Sequence, residues 1–559
     1  MQFRLFTSLR GWRPDWLPRD LLAGLMLAAI AIPGQLATAR LAGMPPETGL
    51  YAFAAASIAF AAFGANRFMS VGADSTIAPI FAGGLASVAV GSGLSYPQLA
   101  SLLALVVGTV LVVVGLLRAG WLATLLSVPV VTGFLAGIAV HIVVGELPAL
   151  LGVAGESGHV LFRLVHVLAK VPDANPYALA VGLGVLATTI IASRISARIP
   201  GALIGLVAAG CAVALFGLKD HGVSLLGALS VPLPQVSLPG LPDFGTFGRL
   251  LQLALVVAMV CIMQTAAVAG TFPSDEGRPD NVSRDFSAVG AGSLLAGLVG
   301  SFPVDSSPPR TAIVRESGGR SQVASLAAVA LIVVLAAVAS GLMAYVPHAA
   351  LSGILVYIAL RIFRIDQMRQ IRRRGGSEIL LVLVSAALVI VLPIETGMLL
   401  AIVMSFVHSL YVVARPSCAE LARVAGTTVW WPPAPGAAVE HVPGVLVIAP
   451  GAPLNFTNAD HIGTYIRAAI AGRNPAVKLL VIEATGMIDI DYTGSQILRR
   501  LIAELGQQGV SVAMARLSAG RAQAQAQRTG LIDTLGADHV FMSVEDAVRK
   551  LGPIQSSSP

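Results

Sequence analysis

Charge is what this sequence has least of. Only 12% of its 559 residues are Asp, Glu, Lys or Arg, against roughly 25% in an ordinary soluble domain. So little charge cannot cover a water-facing surface of this size, and the 56% hydrophobic content fits a chain whose solvent is mostly lipid. Cysteine is scarce too. Cys211, Cys261 and Cys418 are far apart and lack ligand spacing, which excludes a disulfide framework or a cysteine zinc site. The first 20 residues hold Arg4, Arg10, Arg13 and Arg19 but no apolar core. The first apolar run, 21–32, is followed by no cleavage site, so a retained N-terminus is expected. No nucleophile–base pair and no metal constellation stands out, so no enzyme, cofactor or metal is expected. The net charge of +7 does not point to nucleic acid, because the arginines sit at the ends of apolar runs, where they orient a membrane protein.

What is present is a succession of such runs. A span needs ~20 mainly apolar residues. Candidates lie near 21–41, 48–64, 72–91, 98–118, 122–145, 176–193 and 200–217, then near 247–271, 285–301, 303–316, 322–342, 346–363, 378–393 and 396–413. This predicts about 14 spans in two sets of seven, 20–218 and 246–414. With the N-terminus inside, the loops after even spans carry Arg67, Arg118, Arg194, Arg198, Arg278, Arg284, Arg315, Arg320 and the run Arg372, Arg373 and Arg374. The other loops hold little more than Arg40, Arg163, Lys170 and Lys219. This positive-inside pattern places both termini in the cytoplasm of a bacterial cell and the protein in its inner membrane. His141 and Glu146, near the end of the fifth span, read as residues of the membrane–water interface.

Two spans are wrong for plain helices. Val71-Gly72-Ala73-Asp74-Ser75-Thr76-Ile77-Ala78-Pro79 and Pro303-Val304-Asp305-Ser306-Ser307-Pro308-Pro309-Arg310-Thr311 put carboxylates, glycine and proline at membrane depth. Irregular backbone is tolerated there only when buried in protein or lining a cavity. Each reads as a short extended stretch leading into a half-helix, with Asp-Ser as N-cap and proline in the first turn. Both occupy the third position of their set. An odd repeat inverts the second set, so the two half-helices run antiparallel. Inverted repeats with paired broken helices mark secondary transporters.

Two half-helix N-termini offer free N–H groups and partial positive charge, which favour an anion. Arg310 adds a full charge, while Ser75, Thr76, Ser306 and Ser307 add hydroxyl donors. Gln35 and Gln264 sit at equivalent positions of the two sets and can line the same site. Asp74 and Asp305 would repel an anion if both were ionised. Three resolutions are open: one of them carries a proton, they pair with Arg310, or they help bind sodium. Asp74 and Asp305 are therefore the candidates for the coupling ion.

After Arg415 the texture changes. Residues 416–439 read as a Pro/Gly/Ala-rich connector between a transport domain, 1–415, and a small domain, 440–553. That domain alternates short apolar strands near 444–449, 478–484 and 509–514 with helices near 459–472, 493–507, 518–530 and 544–551, the pattern of an α/β fold.

These residues carry a family resemblance. Pro45-Pro46-Glu47-Thr48-Gly49-Leu50-Tyr51, followed by Gly64-Ala65-Asn66-Arg67, resembles the sulfate-permease signature, and Ala31-Ile32-Pro33 with Leu41-Ala42-Gly43-Met44 resembles the family's first span. Ser301-Phe302-Pro303-Val304 through Arg310-Thr311-Ala312 is similar to its tenth. Pro453-Leu454-Asn455-Phe456-Thr457-Asn458-Ala459 and Ile488-Asp489-Ile490-Asp491-Tyr492-Thr493-Gly494 resemble a STAS domain. The chain is thus identified as a member of the sulfate permease/anion exchanger (SulP) family. The resemblance implies a homodimer, a core domain moving against a gate domain, and an anion held between the third and tenth spans. It places Arg310 at the anion-site arginine, and Asp491 and Thr493 at the regulatory position of related STAS proteins. The sequence departs from the family at Gln264, often a glutamate; at Pro33-Gly34-Gln35, usually Pro-Gln; and at the two Asp-Ser pairs.

The expectation is a secondary anion transporter using alternating access. A proton-coupled symport of sulfate, bicarbonate or a small dicarboxylate such as fumarate is favoured. An anion channel, an uncoupled exchanger and a membrane-bound sensor with STAS output remain open.

Overall fold

The computed structural model describes residues 5–9, 11–89, 92–120, 127–156, 158–196, 199–227, 239–240, 242–274, 281–338, 342–374, 376–436 and 438–553. Arg198 and Arg278 of the orientation pattern lie outside the described residues. The chain forms two compact units, one up to Ser405 and one from Phe406.

The first unit is helical, and its last helix runs past the boundary at Ser405. Its first half holds α1 (Leu17–Leu41), α2 (Pro46–Phe63), β1 (Val71–Gly72), α3 (Ala78–Ala89), α4 (Tyr96–Leu116), α5 (Val128–Leu151), α6 (Val160–Ala169), α7 (Pro176–Ile195) and α8 (Gly201–Phe216). The second half holds α9 (Phe244–Thr271), α10 (Val282–Leu298), β2 (Asp305–Ser306), α11 (Pro308–Glu316), α12 (Val323–Val338), α13 (His348–Ile362), α14 (Ile365–Arg374), α15 (Gly376–Val391) and α16 (Ile394–Ala414). Among the described residues, seven helices are long and apolar enough to cross a bilayer alone, and five shorter apolar helices accompany them. Leu380, Leu383, Phe406, Val407 and Leu410 are half-exposed or more. So broad an apolar exterior is a lipid-facing surface.

Helix ends follow local chemistry. Prolines open α2, α4, α5 and α7, where the missing N–H costs nothing. Asn175 and Asp243 cap α7 and α9 by accepting from backbone N–H groups. Two short helices were not foreseen. The segment α6 follows α5, and α14 follows α13, so they hold matching places in the two halves. Both are too short to span, which is why a search for 20-residue apolar runs passes over them.

Packing sorts the helices into two groups, each drawn from both halves. In one, α10 packs on α4 and α2, α12 on α1 and α2, and α9 on α3 and α4. In the other, α5 packs on α13 and α15, and α7 on α13 and α8. The α4–α10 contact is a close backbone approach. A Cβ added at Gly108 would lie 2.7 Å from the carbonyl of Gly290, and one at Gly290 2.7 Å from that of Gly108. Without a hydrophobic drive between helices in lipid, such small-residue contacts supply the dispersion energy.

In the second unit, β3 (Cys418–Val424), β4 (Trp430–Trp431), β5 (Val439–Glu440), β6 (Val445–Pro450), α17 (Ala459–Ala471), β7 (Leu479–Glu483), α18 (Tyr492–Gln507), β8 (Ser511–Ala515), α19 (Gly520–Arg528), α20 (Leu531–Leu535), β9 (Val540–Phe541) and α21 (Val544–Leu551) follow in order. The sheet runs β4-β3-β6-β7-β8-β9, parallel from β6 to β9 and antiparallel at β3. Its strands alternate strictly. Leu446, Ile448, Leu480 and Ile482 face α17 and α18, while Val447, Leu479 and Val481 face α21. One expectation is corrected here. Residues 418–424 are not connector: β3 pairs with β6 over Cys418↔Pro450 to Leu421↔Val447. Its mixed, half-buried residues lack the apolar run that betrayed the other strands.

Candidate functional site

The two irregular stretches meet. β1 and β2 pair antiparallel, with Val71 opposite Ser306 and Gly72 opposite Asp305. The bridge continues through Ser307 N–H donating to Ser70 O at 2.9 Å, and Ser70 N–H donating to Thr311 Oγ1 at 3.0 Å. Backbone that lipid could not satisfy is satisfied by its repeat partner. The pairing also sends α3 and α11 away in opposite directions.

Gln35 and Arg310 converge on one residue. Gln35 Nε2 donates to Ala73 O at 3.0 Å, and its Oε1 accepts from Ala73 N at 2.9 Å. Arg310 Nη1 donates to the same carbonyl at 2.9 Å, and its guanidinium lies 6.0 Å from the Phe53 ring centroid. Gln264 holds the other stretch: Nε2 donates to Ser306 O at 2.6 Å, while its Oε1 lies 3.1 Å from Thr76 Oγ1. The two glutamines thus do matching work on the two crossovers, and neither is a plain helix–helix contact.

A cavity of about 680 Å³ adjoins this crossing. Of the expected site residues, Asp74, Ser75, Thr76, Gln264, Ser307 and Arg310 line it. Gln35, Asp305 and Ser306 do not line it; each is fully buried behind the wall. The sequence reading missed Gly34, Thr38 and Tyr357 in the lining. Nothing in an apolar helix distinguishes the side that faces a cavity from the sides that face lipid or protein.

The capping expectation needs correction. Asp74 Oδ1 accepts from Thr76 N at 2.9 Å and Thr76 Oγ1 at 2.6 Å, in a turn that precedes α3. Asp305 lies in β2, and Ser307 caps α11 without a side-chain hydrogen bond. The pairing of Arg310 with an aspartate is not found: no ion pair joins it to Asp74 or Asp305 among the described residues. Instead Arg310 Nε and Nη2 are buried without partners, and so is Asp305 Oδ2. Glu146, read as interfacial, is buried beside Arg40.

In the second unit Asp491 Oδ1 accepts from Gly494 N at 2.6 Å and its Oδ2 from Phe456 N at 2.8 Å. One oxygen thus caps the start of α18, and the other holds the loop that precedes α17. Thr493 is exposed in the first turn of that helix.

Paired broken helices around a cavity walled by hydroxyls and an arginine define a membrane transporter for anions. The sulfate permease family profile matches residues 17–385 and the STAS domain profile residues 437–547; the chain belongs to the sulfate permease family, a family of transporters. It is similar to a probable sulfate transporter of Mycobacterium tuberculosis, 34% identical over 97% of both chains. Prestin of Danio rerio is 27% identical over 83% of this chain and 67% of its own. The solved structure of the murine solute carrier 26 family member A9 anion transporter superposes with a TM-score of 0.85 at 19% identity, covering 96% of this chain and 92% of that one.

Proposed function

We propose that this chain is a secondary active transporter of a small oxyanion in a bacterial inner membrane, symporting the anion with a proton by alternating access. In this reading it crosses the bilayer fourteen times, keeps both termini in the cytoplasm and works as a homodimer.

The observation that carries the reading is Arg310. Its Nε and Nη2 hydrogens form one edge of the guanidinium, the edge that takes two oxygens of one anion at once. Both nitrogens are buried without acceptors, in a residue that lines the cavity. A halide would meet this fork with a single atom. Sulfate, bicarbonate or one carboxylate of a dicarboxylate meets it with two. Ser75 and Ser307 line the same cavity as hydroxyl donors, while the Thr76 hydroxyl is given to Asp74. The name of the mycobacterial relative supports the oxyanion class.

Coupling rests on the two aspartates. Asp305 is fully buried, with one oxygen unpartnered and no cation at ion-pair distance among the described residues. A buried, unpaired charge costs several kcal/mol, so the neutral acid is the form that fits this conformation. Asp305 is therefore the proton carrier in this reading. Asp74, at the wall, shapes the anion's approach. Each anion charge costs ~2.3 kcal/mol per 100 mV to import against a negative-inside potential, and a co-transported proton offsets it. Sodium is the other coupling ion to test.

The test is uptake of labelled sulfate, bicarbonate and fumarate into proteoliposomes, with and without inward proton or sodium gradients. One anion is expected to accumulate with the proton gradient. Arg310→Ala should lower uptake about tenfold to a hundredfold, since each hydrogen bond to a charged group contributes about 1.5–3 kcal/mol. Uptake by Arg310→Ala at the wild-type rate sinks the site. Accumulation that ignores every cation gradient turns the reading into an uncoupled exchanger or channel.

A further inference from the structure

A second polar cluster lies at the other end of the same helices. Arg40 stands one residue before the end of α1. Its Nη1 donates to His348 O at 3.0 Å, and its Nη2 lies 3.6 Å from Glu146 Oε2. Ser352 Oγ donates to Glu146 Oε2 at 2.7 Å. The Glu146 side chain is 8% exposed and that of Arg40 21%, so water screens the pair poorly. Arg40 belongs to the packing group of α1, α2 and α12, whereas Glu146, His348 and Ser352 sit on α5 and α13 of the other group. The cluster therefore joins the two groups across their boundary.

Its position along the helices matters. His348 begins α13, while Arg361 and Arg364, which line the cavity, lie at and just past that helix's other end. At 1.5 Å per residue, roughly 20 Å separates them. Ser193, near the end of α7, and Ile199, just before α8, line the cavity at that same end. So the cavity runs to the far end of α13, while the Arg40 cluster stands at its near end, beyond Thr38 and Ile354 of the lining.

We propose that the cavity opens at its Arg361 end, that Arg40, Glu146, Ser352 and the His348 carbonyl form a latch closing the opposite membrane face, and that the latch opens when access alternates. The inference rests on the alternating-access reading. Removing one charge leaves the other buried and unpaired, which is far more costly than losing the pair together. Opening that face to water relieves the stranded charge, so the equilibrium moves toward the opposite-facing state.

Gly34 supplies a reporter position. It lines the cavity, and a Cβ added there meets nothing within 4 Å. In full-length protein carrying Cys211→Ala, Cys261→Ala, Cys418→Ala and Gly34→Cys, labelling by a membrane-impermeant maleimide is followed in right-side-out and inside-out vesicles. Without latch substitutions, the reporter should label from the mouth side. Arg40→Gln or Glu146→Gln should raise labelling from the latch side about tenfold, a shift of ~1.4 kcal/mol between states. Ser352→Ala, which removes one hydrogen bond and no charge, should raise it less. The exchanged pair Arg40→Glu with Glu146→Arg should return it toward the starting value. Latch-side labelling that stays at the starting value in folded, monodisperse Ser352→Ala and Glu146→Gln proteins overturns the proposal. Labelling needs no substrate, so failure to find a transported anion would count against the transport reading and leave the latch result standing.

Discussion

The two crossovers carry the same dipeptide, Asp-Ser, at the same place in two repeats, yet the fold uses them differently. Asp74 lines the cavity and is tied to Thr76 by two hydrogen bonds. Asp305 sits in the β2 strand, fully buried, with one oxygen unpartnered. The backbone supports differ as well. Ala73 is gripped on both its N–H and its carbonyl by Gln35, whereas the second crossover gives Gln264 one carbonyl, that of Ser306. A repeat in sequence is therefore not a repeat in role. One aspartate faces the cavity, and the other lies buried behind its wall.

Five substitutions sharpen or break this contrast. The largest effect is expected from Gln35→Leu, which strands a buried N–H and weakens its carbonyl. Each buried orphan costs about 1–3 kcal/mol, so the full-length protein should melt several degrees lower and lose uptake. Gln264→Leu frees one carbonyl, that of Ser306, and strands no N–H, so it should cost less; an equal loss of melting temperature in the two would erase the asymmetry. Next come the aspartates. Asp305→Asn mimics the neutral acid and should keep anion affinity while abolishing the dependence of uptake on the proton gradient. Asp74→Asn should change the apparent KM severalfold and leave that dependence in place. The reverse result would exchange the two roles. Thr76→Val removes one hydroxyl from Asp74 but spares the backbone contact, and an effect of ~1 kcal/mol is expected on anion binding.

The smallest effect lies outside the membrane unit and serves as a control on pH. The hydrogen bond from Arg467 holds the Glu504 carboxyl below its ordinary value of 4.5. The folded form is depressed, so its stabilisation is present above that value and is lost as pH falls through the folded one. The melting temperatures of Glu504→Gln and wild type should differ slightly at pH 7 and converge in acid. The pair is exposed, so the difference is that of an ordinary surface ion pair. A change of uptake with pH that survives Glu504→Gln does not come from this pair.

Much of this was legible beforehand. Apolar run length, arginine placement and the two interrupted spans depend on local composition, because lipid imposes one rule on every residue it touches. The parallel strands β6, β7 and β8 were legible for the same reason, since strands buried on both faces read as continuous apolar runs. The strand β3 was not. It lies at Cys418–Val424 with half-buried residues, and only its pairing with β6 makes it a strand. The short helices α6 and α14 fell below the length a span requires.

What the sequence by itself determined, then, is a membrane protein with two broken third elements, an arginine just inside the second, and an appended α/β domain. Each follows from patterns within about 20 residues. Tertiary structure alone decided which aspartate meets the cavity, that Arg310 grips Ala73 rather than an aspartate, and that Arg40 reaches Glu146 from a helix more than 100 positions earlier. The reason is physical. Burial and partnership of a polar group are set by what lies across the fold, and in a low-dielectric interior those partners decide its charge and its role.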